Sequence, residues 1–254
     1  MKTKKLLFYL LAAILAGCVP VMSLHPLYTE GDTVFEEKVL GVWVDDPNEA
    51  KAIWEFKRPD ESKMEYELIF SNAEGKKGIF TANLVKLGGR FFLDAYPKQF
   101  PCEVDDPNKT DWHFNAFFLV PVHTFIKIDC IEPLQTAGKC FSEDEQVDAD
   151  VLKKLSADYD GVLKLRLTDD EEFKKLLEQE PNAIQHEKTE NDGVILTAST
   201  RQLQEFVLKY ADDERLFTDA TVLLRKKTAG GQAPAGQDAR QGSAPQKPSL
   251  SEKK

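Results

Sequence analysis

The chain contains none of the short motifs that mark common enzyme classes. It has no Gly-x-Ser-x-Gly, which excludes the nucleophile elbow of the α/β-hydrolases, and no His-Glu-x-x-His, Cys-x-x-Cys or glycine-rich phosphate loop. The stretch from Asp106 begins like a calcium loop, but it lacks the glycine at the sixth position and has Phe117 where such a loop ends in glutamate. We therefore predict that this chain is not an enzyme and holds no cofactor.

Histidine is scarce as well, with four residues in 254. A zinc site built from His113, His123 and Asp129 has suitable ligand chemistry. Its spacing matches no ligand motif, so the sequence predicts no metal. Adjacent acids such as Asp45 and Asp46 are typical of solvated turns in a chain with 43 acidic residues.

Basic residues are in deficit, with 33 against 43 acidic ones and a net charge of −10. Nucleic-acid binding depends on Lys and Arg that neutralise phosphates, so this charge excludes a nucleic-acid partner. Hydrophobic residues make up 42% of the chain and aromatic residues 10%, which is enough for a packed core.

Long apolar runs are absent except at the N-terminus. Lys2, Lys4 and Lys5 precede an apolar stretch, Leu6–Leu15, and the small residues before Cys18 complete a cleavage site. This pattern resembles the lipobox of bacterial lipoproteins. The alternative is a retained transmembrane helix, but the run is shorter than the roughly 18 residues of a span.

The resemblance implies that Cys18 becomes the mature N-terminus and carries acyl chains that anchor it to a membrane. The lipoprotein signal would be residues 1–17, and its loss takes the net charge from −10 to −13. Val19 rather than aspartate follows Cys18, which in such proteins implies the outer membrane where the host has one. We predict a membrane tether at 18–36, one globular domain at 37–227 and a disordered tail at 228–254.

Three cysteines remain beyond Cys18, and an exported protein lies where disulfides persist. Cys130–Cys140 is the favoured pair because it closes a short loop that contains Pro133 and Gly138. The alternative is that these two and Cys102 are all small buried thiols.

Short runs of β-branched and aromatic residues between turn residues indicate strands over the first half of the domain. The predicted strands are Val39–Val44, Ala52–Lys57, Met64–Phe70, Gly78–Leu87, Arg90–Tyr96, Phe114–Val120 and Thr124–Cys130. Gly88 and Gly89 predict a tight hairpin, and such short links favour antiparallel pairing.

The second half alternates between helical and strand periods. Helices are predicted at Asp144–Leu155, Asp169–Gln179 and from Ser199 or Thr200 to Tyr210, with strands at Tyr159–Leu167, Gly193–Ala198 and Thr221–Arg225. The fold class is therefore α+β, predominantly antiparallel β, as a barrel or strongly curved sheet with about three packed helices.

Gly41 and Trp43 form a Gly-x-Trp at the start of the first long strand, which resembles the opening of lipocalins. In that family the Trp plugs one end of the barrel and a late Arg packs over the indole, a position that Arg225 matches here. The segments His25–Tyr28, Leu40–Trp43 and Leu84–Gly89 resemble a group of bacterial lipoproteins of unassigned activity.

Two functional hypotheses follow. The first is a binding protein whose inward-facing apolar side chains hold a small apolar ligand, with Gly41, Trp43 and Arg225 at the ligand cup. The second is an envelope protein that engages another protein and has no internal cavity.

Overall fold

A computed structural model describes residues 20–98, 120–142, 145, 149–190, 193–213, 215–217 and 220–228. The strands are β1 Met22–Ser23, β2 Thr33–Val34, β3 Gly41–Val44, β4 Ala52–Lys57, β5 Tyr66–Asn72, β6 Lys77–Leu87, β7 Arg90–Pro97, β8 His123–Pro133, β9 Tyr159–Arg166, β10 His186–Lys188, β11 Val194–Leu196 and β12 Thr221–Lys226. The α-helices of the described residues are α1 Ala149–Leu155, α2 Asp170–Gln179 and α3 Thr200–Lys209, and 3₁₀ helices cover Glu37–Val39 and Leu134–Cys140.

Eight of these strands close into an antiparallel barrel. Strands β3 to β8 pair in chain order, β8 also pairs with β9, and β12 lies between β9 and β3. The sequence did not distinguish a barrel from a strongly curved sheet. The pairing of β12 with β3 closes the sheet into a barrel. The predicted α+β class with about three helices is confirmed.

The interior follows the period-two alternation of the strand sequences. In β4, Trp54 and Phe56 are buried inside the barrel, and both belong to a cluster that includes Tyr66 and Leu68 of β5. The predicted hairpin at Gly88 and Gly89 joins β6 to β7. Both glycines have positive φ angles, 54° and 81°, which this tight turn requires.

A second apolar layer covers the outer face of the barrel. Phe92 of β7 and Phe125 of β8 are fully buried there beneath α2 and α3, each of which contributes an apolar stripe. The predicted helix Asp169–Gln179 is observed as α2, Asp170–Gln179. Asp169 is its N-cap, and the Asp169 carboxylate accepts a hydrogen bond from the Glu172 N–H. Ser199 caps α3.

The predicted tether at 18–36 is wrong for residues 20–36, which belong to the folded unit. β1 pairs with β8 and β11, and β2 pairs with β6. Val21 and Leu27 are fully buried, and the Leu27 N–H donates to the Asp94 carboxylate at 2.8 Å. The sequence of this segment shows no alternation of apolar and polar residues, because each of its two strands is only two residues long.

Some predicted elements fall partly outside the described residues. These include residues 1–19 with the leader and Cys18, Cys102, His113, and the tail from 229 onward. The predicted strand Phe114–Val120 also lies outside them, apart from Val120, which is in no strand. Within the part of the chain that the structure describes, no helix is long and apolar enough to cross a membrane.

The structure contains a Cys130–Cys140 disulfide. It links the end of β8 to the 3₁₀ helix that follows, with 5.4 Å between the two Cα atoms. The alternative that these two residues are free thiols is therefore wrong.

Candidate binding site at the barrel mouth

The barrel has a closed end and an open end, and Trp43 lies at the closed one. Its indole is fully buried, and its Nε1 donates to the Val39 carbonyl at 2.8 Å. The Arg225 guanidinium carbon lies 5.4 Å from the centre of the Trp43 ring. A cation over an indole face contributes about 0.5–2 kcal/mol.

Gly41 makes room for this arginine. Its φ of +123° is one that side-chain-bearing residues rarely adopt, and a Cβ there would lie 2.9 Å from Arg225 Cδ. Arg225 Nε donates to Asp160 Oδ1 at 2.7 Å, and Nη1 donates to the Lys38 carbonyl at 3.0 Å. These contacts tie the start of β3 to the end of β12 and close the barrel there.

The structure therefore brings Gly41, Trp43 and Arg225 together, as the resemblance to lipocalins implies. None of the three lines the apolar cavity at the opposite end of the strands. Their geometry is that of a plug.

Among the described residues, the barrel is open at its other end, where β8 and β9 separate. They pair from Lys127 and Arg166 down to Pro133 and Gly161, but His123 and Thr124 at the start of β8 pair with β1 instead. The chain leaves β9 after Arg166, and Thr168 then hydrogen-bonds to Val21 beside β1, so β1 fills the place next to β8 that β9 leaves.

A cavity of about 240 Å³ lies at this end of the barrel, beside β1. Its walls combine aromatic and aliphatic side chains with two threonines. The lining residues are Pro20, Trp54, Leu68, Phe70, Phe80, Ala95, Thr124, Ile126, Leu167 and Thr168. None of these described residues carries a charge, and this composition suits an apolar guest.

The two threonine hydroxyls are already engaged by the backbone of β1. Thr168 Oγ1 accepts a hydrogen bond from the Val21 N–H at 3.0 Å, and Thr124 Oγ1 donates to the Val21 carbonyl at 3.2 Å. These bonds satisfy polar groups that would otherwise have to be desolvated by an apolar ligand. They also hold β1 at the rim of the cavity.

Two larger depressions have different chemistry. One of about 600 Å³ is lined by charged side chains, including Glu171, Lys174 and Lys188. The other, of about 530 Å³, is more open and includes Tyr28 and His123. Burial raises the pKa of Tyr28, and the nearby Asp94 carboxylate raises it further. Neither encloses an apolar volume.

The residues weighed as metal ligands are not brought together. His123 Nδ1 lies 2.7 Å from Asp94 Oδ1, while Asp129 accepts from Arg166 Nε at 2.7 Å. His123 and Asp129 are six residues apart on β8, a separation of about 20 Å along a strand. His113 lies outside the described residues.

Sequence reasoning missed the rim of the cavity, formed by Pro20 and Thr168 with Val21 between them. No local signal marks these residues, because they meet only when β1 packs beside the end of β9. No protein-family model, curated protein or solved structure matches the chain.

Proposed function

We propose that this chain is a lipid-anchored, non-catalytic protein of the bacterial cell envelope whose barrel binds a small apolar ligand. The anchor is the acylated Cys18 that the leader implies, and Val19 after it favours the outer membrane. The single observation that carries the binding function is the charge-free cavity at the open end of the barrel.

The size of the cavity limits the ligand. Ligand sites commonly enclose about 300–1,000 Å³, and this cavity of about 240 Å³ lies just below that range. Its guest is therefore a small hydrophobic molecule or the end of a hydrocarbon chain. Because Trp43 and Arg225 close the other end, the guest enters and leaves at the end where Pro20 and Thr168 line the cavity.

The chemistry of the walls favours binding over catalysis. The lining residues offer aromatic, aliphatic and hydroxyl groups, and both hydroxyls bond to the Val21 backbone. General acid–base work requires a titratable group within hydrogen-bond reach of the bound molecule, and the described residues that line this cavity include none.

A titration with the neutral fluorophore N-phenyl-1-naphthylamine tests the cavity. The protein is purified and treated with a lipase that removes ester-linked acyl chains. We expect saturable binding that is lost in Leu167→Glu, because a carboxylate at the rim must be desolvated by an apolar guest. Val151→Glu is the matched control, since Val151 lies exposed on α1 away from the cavity.

Equal binding by both variants would contradict the site, and absence of binding to the parent protein would favour the alternative of an envelope interaction protein without a ligand. The anchor is tested separately by radiolabelled palmitate. We expect incorporation into the parent chain and none into Cys18→Ser.

A further inference from the structure

Pro20 links the rim of the cavity to the predicted anchor. It is exposed to solvent, yet it contributes to the lining of the apolar cavity. Val21, the next residue, is held in place by Thr168 and Thr124 through its N–H and carbonyl groups. Pro20 and Val21 therefore lie directly at the cavity mouth.

Cys18 is two residues before Pro20 in the sequence. Two residues span at most about 7 Å even when fully extended. By this length of chain, an acyl group attached at Cys18 can reach the mouth.

The cavity matches one hydrocarbon chain in chemistry and in size. Its walls are almost entirely hydrocarbon, as a lipid tail requires. Its volume is about 240 Å³. This accommodates the end of one chain and leaves the other chains of a diacylglyceryl group outside.

We infer that one acyl chain of the lipid on Cys18 inserts into the mouth of its own barrel when the protein is outside a membrane. This inference rests on the proposed acylation of Cys18 and names the occupant of the proposed ligand site. The inserted chain shields its methylene groups from water, and it excludes other apolar guests from the cavity until the chain transfers to a bilayer.

The experiment uses the full chain made in cells that are fed a fatty acid with a diazirine near its methyl end. The protein is purified, transferred to detergent-free buffer at low concentration and irradiated, and its peptides are mapped. We expect intramolecular crosslinks from the Cys18 peptide to peptides that contain Phe70, Phe80 or Ile126.

Leu167→Glu should lower the yield of these crosslinks about tenfold or more, because the carboxylate opposes entry of a hydrocarbon chain. Val151→Glu should leave the yield unchanged. N-phenyl-1-naphthylamine should bind the lipase-treated protein and be excluded from the acylated one.

The possible failures are distinguishable. A Cys18 peptide that carries the label but crosslinks only to other molecules or to the outer face overturns the inference and leaves the anchor intact. A Cys18 peptide without label overturns both. A distinct co-purified lipid found in the cavity beside an acylated Cys18 also overturns the inference and supports an external ligand.

Discussion

At the scale of single residues, the closed end of the barrel depends on a space that only glycine leaves. Gly41 combines a φ of +123° with close approach of the Arg225 side chain. Substitution therefore strains the backbone and displaces the guanidinium from Trp43. A single Cβ atom added at Gly41 is therefore enough to disturb the packing of Arg225 over Trp43.

We expect Gly41→Ala to lower the free energy of unfolding by about 1–3 kcal/mol through backbone strain alone, measured by urea denaturation. Gly31→Ala is the control, because a Cβ there meets no atom within 4 Å. It should change stability by no more than about 0.5 kcal/mol. Equal effects of the two substitutions would contradict the role of Gly41.

The plug was predictable from sequence and the cavity rim was not. Gly41 and Trp43 lie two residues apart and carry a recognisable pattern, whereas the nearness of Arg225 needed a family resemblance. Pro20 and Thr168 are far apart in the sequence and meet only through tertiary packing. Neither residue type signals a site by itself.

The ion pair between the buried Lys164 and Glu145 makes a pH-dependent contribution to the stability of the fold. Lys164 is 8% exposed on its side chain, and its Nζ lies 2.7 Å from Glu145 Oε2. The hydrogen bond from Lys164 lowers the pKa of Glu145 to about 2, with a further contribution from the Ser142 N–H. Because the folded pKa is below the unfolded value of about 4.3, the stabilisation is present above that value and is lost as the pH falls toward 2.

We expect Glu145→Gln to lower the melting temperature at neutral pH, with the gap to the parent protein closing as the pH falls from about 4 toward about 2. Thermal unfolding followed by circular dichroism measures this. Glu74→Gln removes an exposed ion pair with Lys76, and its melting temperature should equal that of the parent protein. A gap that persists unchanged at low pH would contradict the assignment.

At the scale of elements, the sequence predicted the barrel strands best where side-chain alternation is clear. Ala52–Lys57 was predicted with its observed bounds, because Trp54 and Phe56 alternate with outward residues. The two-residue strands β1 and β2 gave no period and were assigned to a tether. Short pairings are stabilised by their partners, so the local sequence does not reveal them.

The disulfide stabilises the junction between β8 and the following 3₁₀ helix. Closing a loop with a sequence separation of 10 contributes about 3 kcal/mol in chain-entropy terms. We expect a reductant to lower the free energy of unfolding by that amount. A Cys130→Ser/Cys140→Ser variant should be less stable and insensitive to reductant. If the reductant left the free energy of unfolding of the parent protein unchanged, this role would be contradicted.

The N-terminal segment is attached to the barrel by a buried carboxylate. Asp94 accepts from the Leu27 N–H through Oδ2 and contacts His123 through Oδ1. Asp94→Ala leaves that N–H unsatisfied, which costs about 1–3 kcal/mol. We expect faster hydrogen exchange over residues 21–28. Asp60→Ala, in an exposed turn, is the control, and equal exchange in both variants would contradict the attachment.

At the scale of the whole molecule, one end of the barrel is sealed and the other is left open by a strand exchange. β1 takes the place beside β8 that β9 leaves, so the described segment nearest the predicted anchor also borders the mouth. This arrangement places the proposed binding site beside the segment that follows the predicted anchor. The sequence predicted both parts but gave no reason to place them together.

Methyl NMR of the lipase-treated protein, titrated with decanoic acid, tests the central claim that the mouth binds a hydrocarbon chain. We predict saturable shifts of the Leu68, Ile126 and Leu167 methyl groups, which line the cavity, with Leu134 and Leu196 unmoved because they lie in other clusters. Shifts confined to outer-face methyl groups, or no saturable shift at all, would contradict the claim.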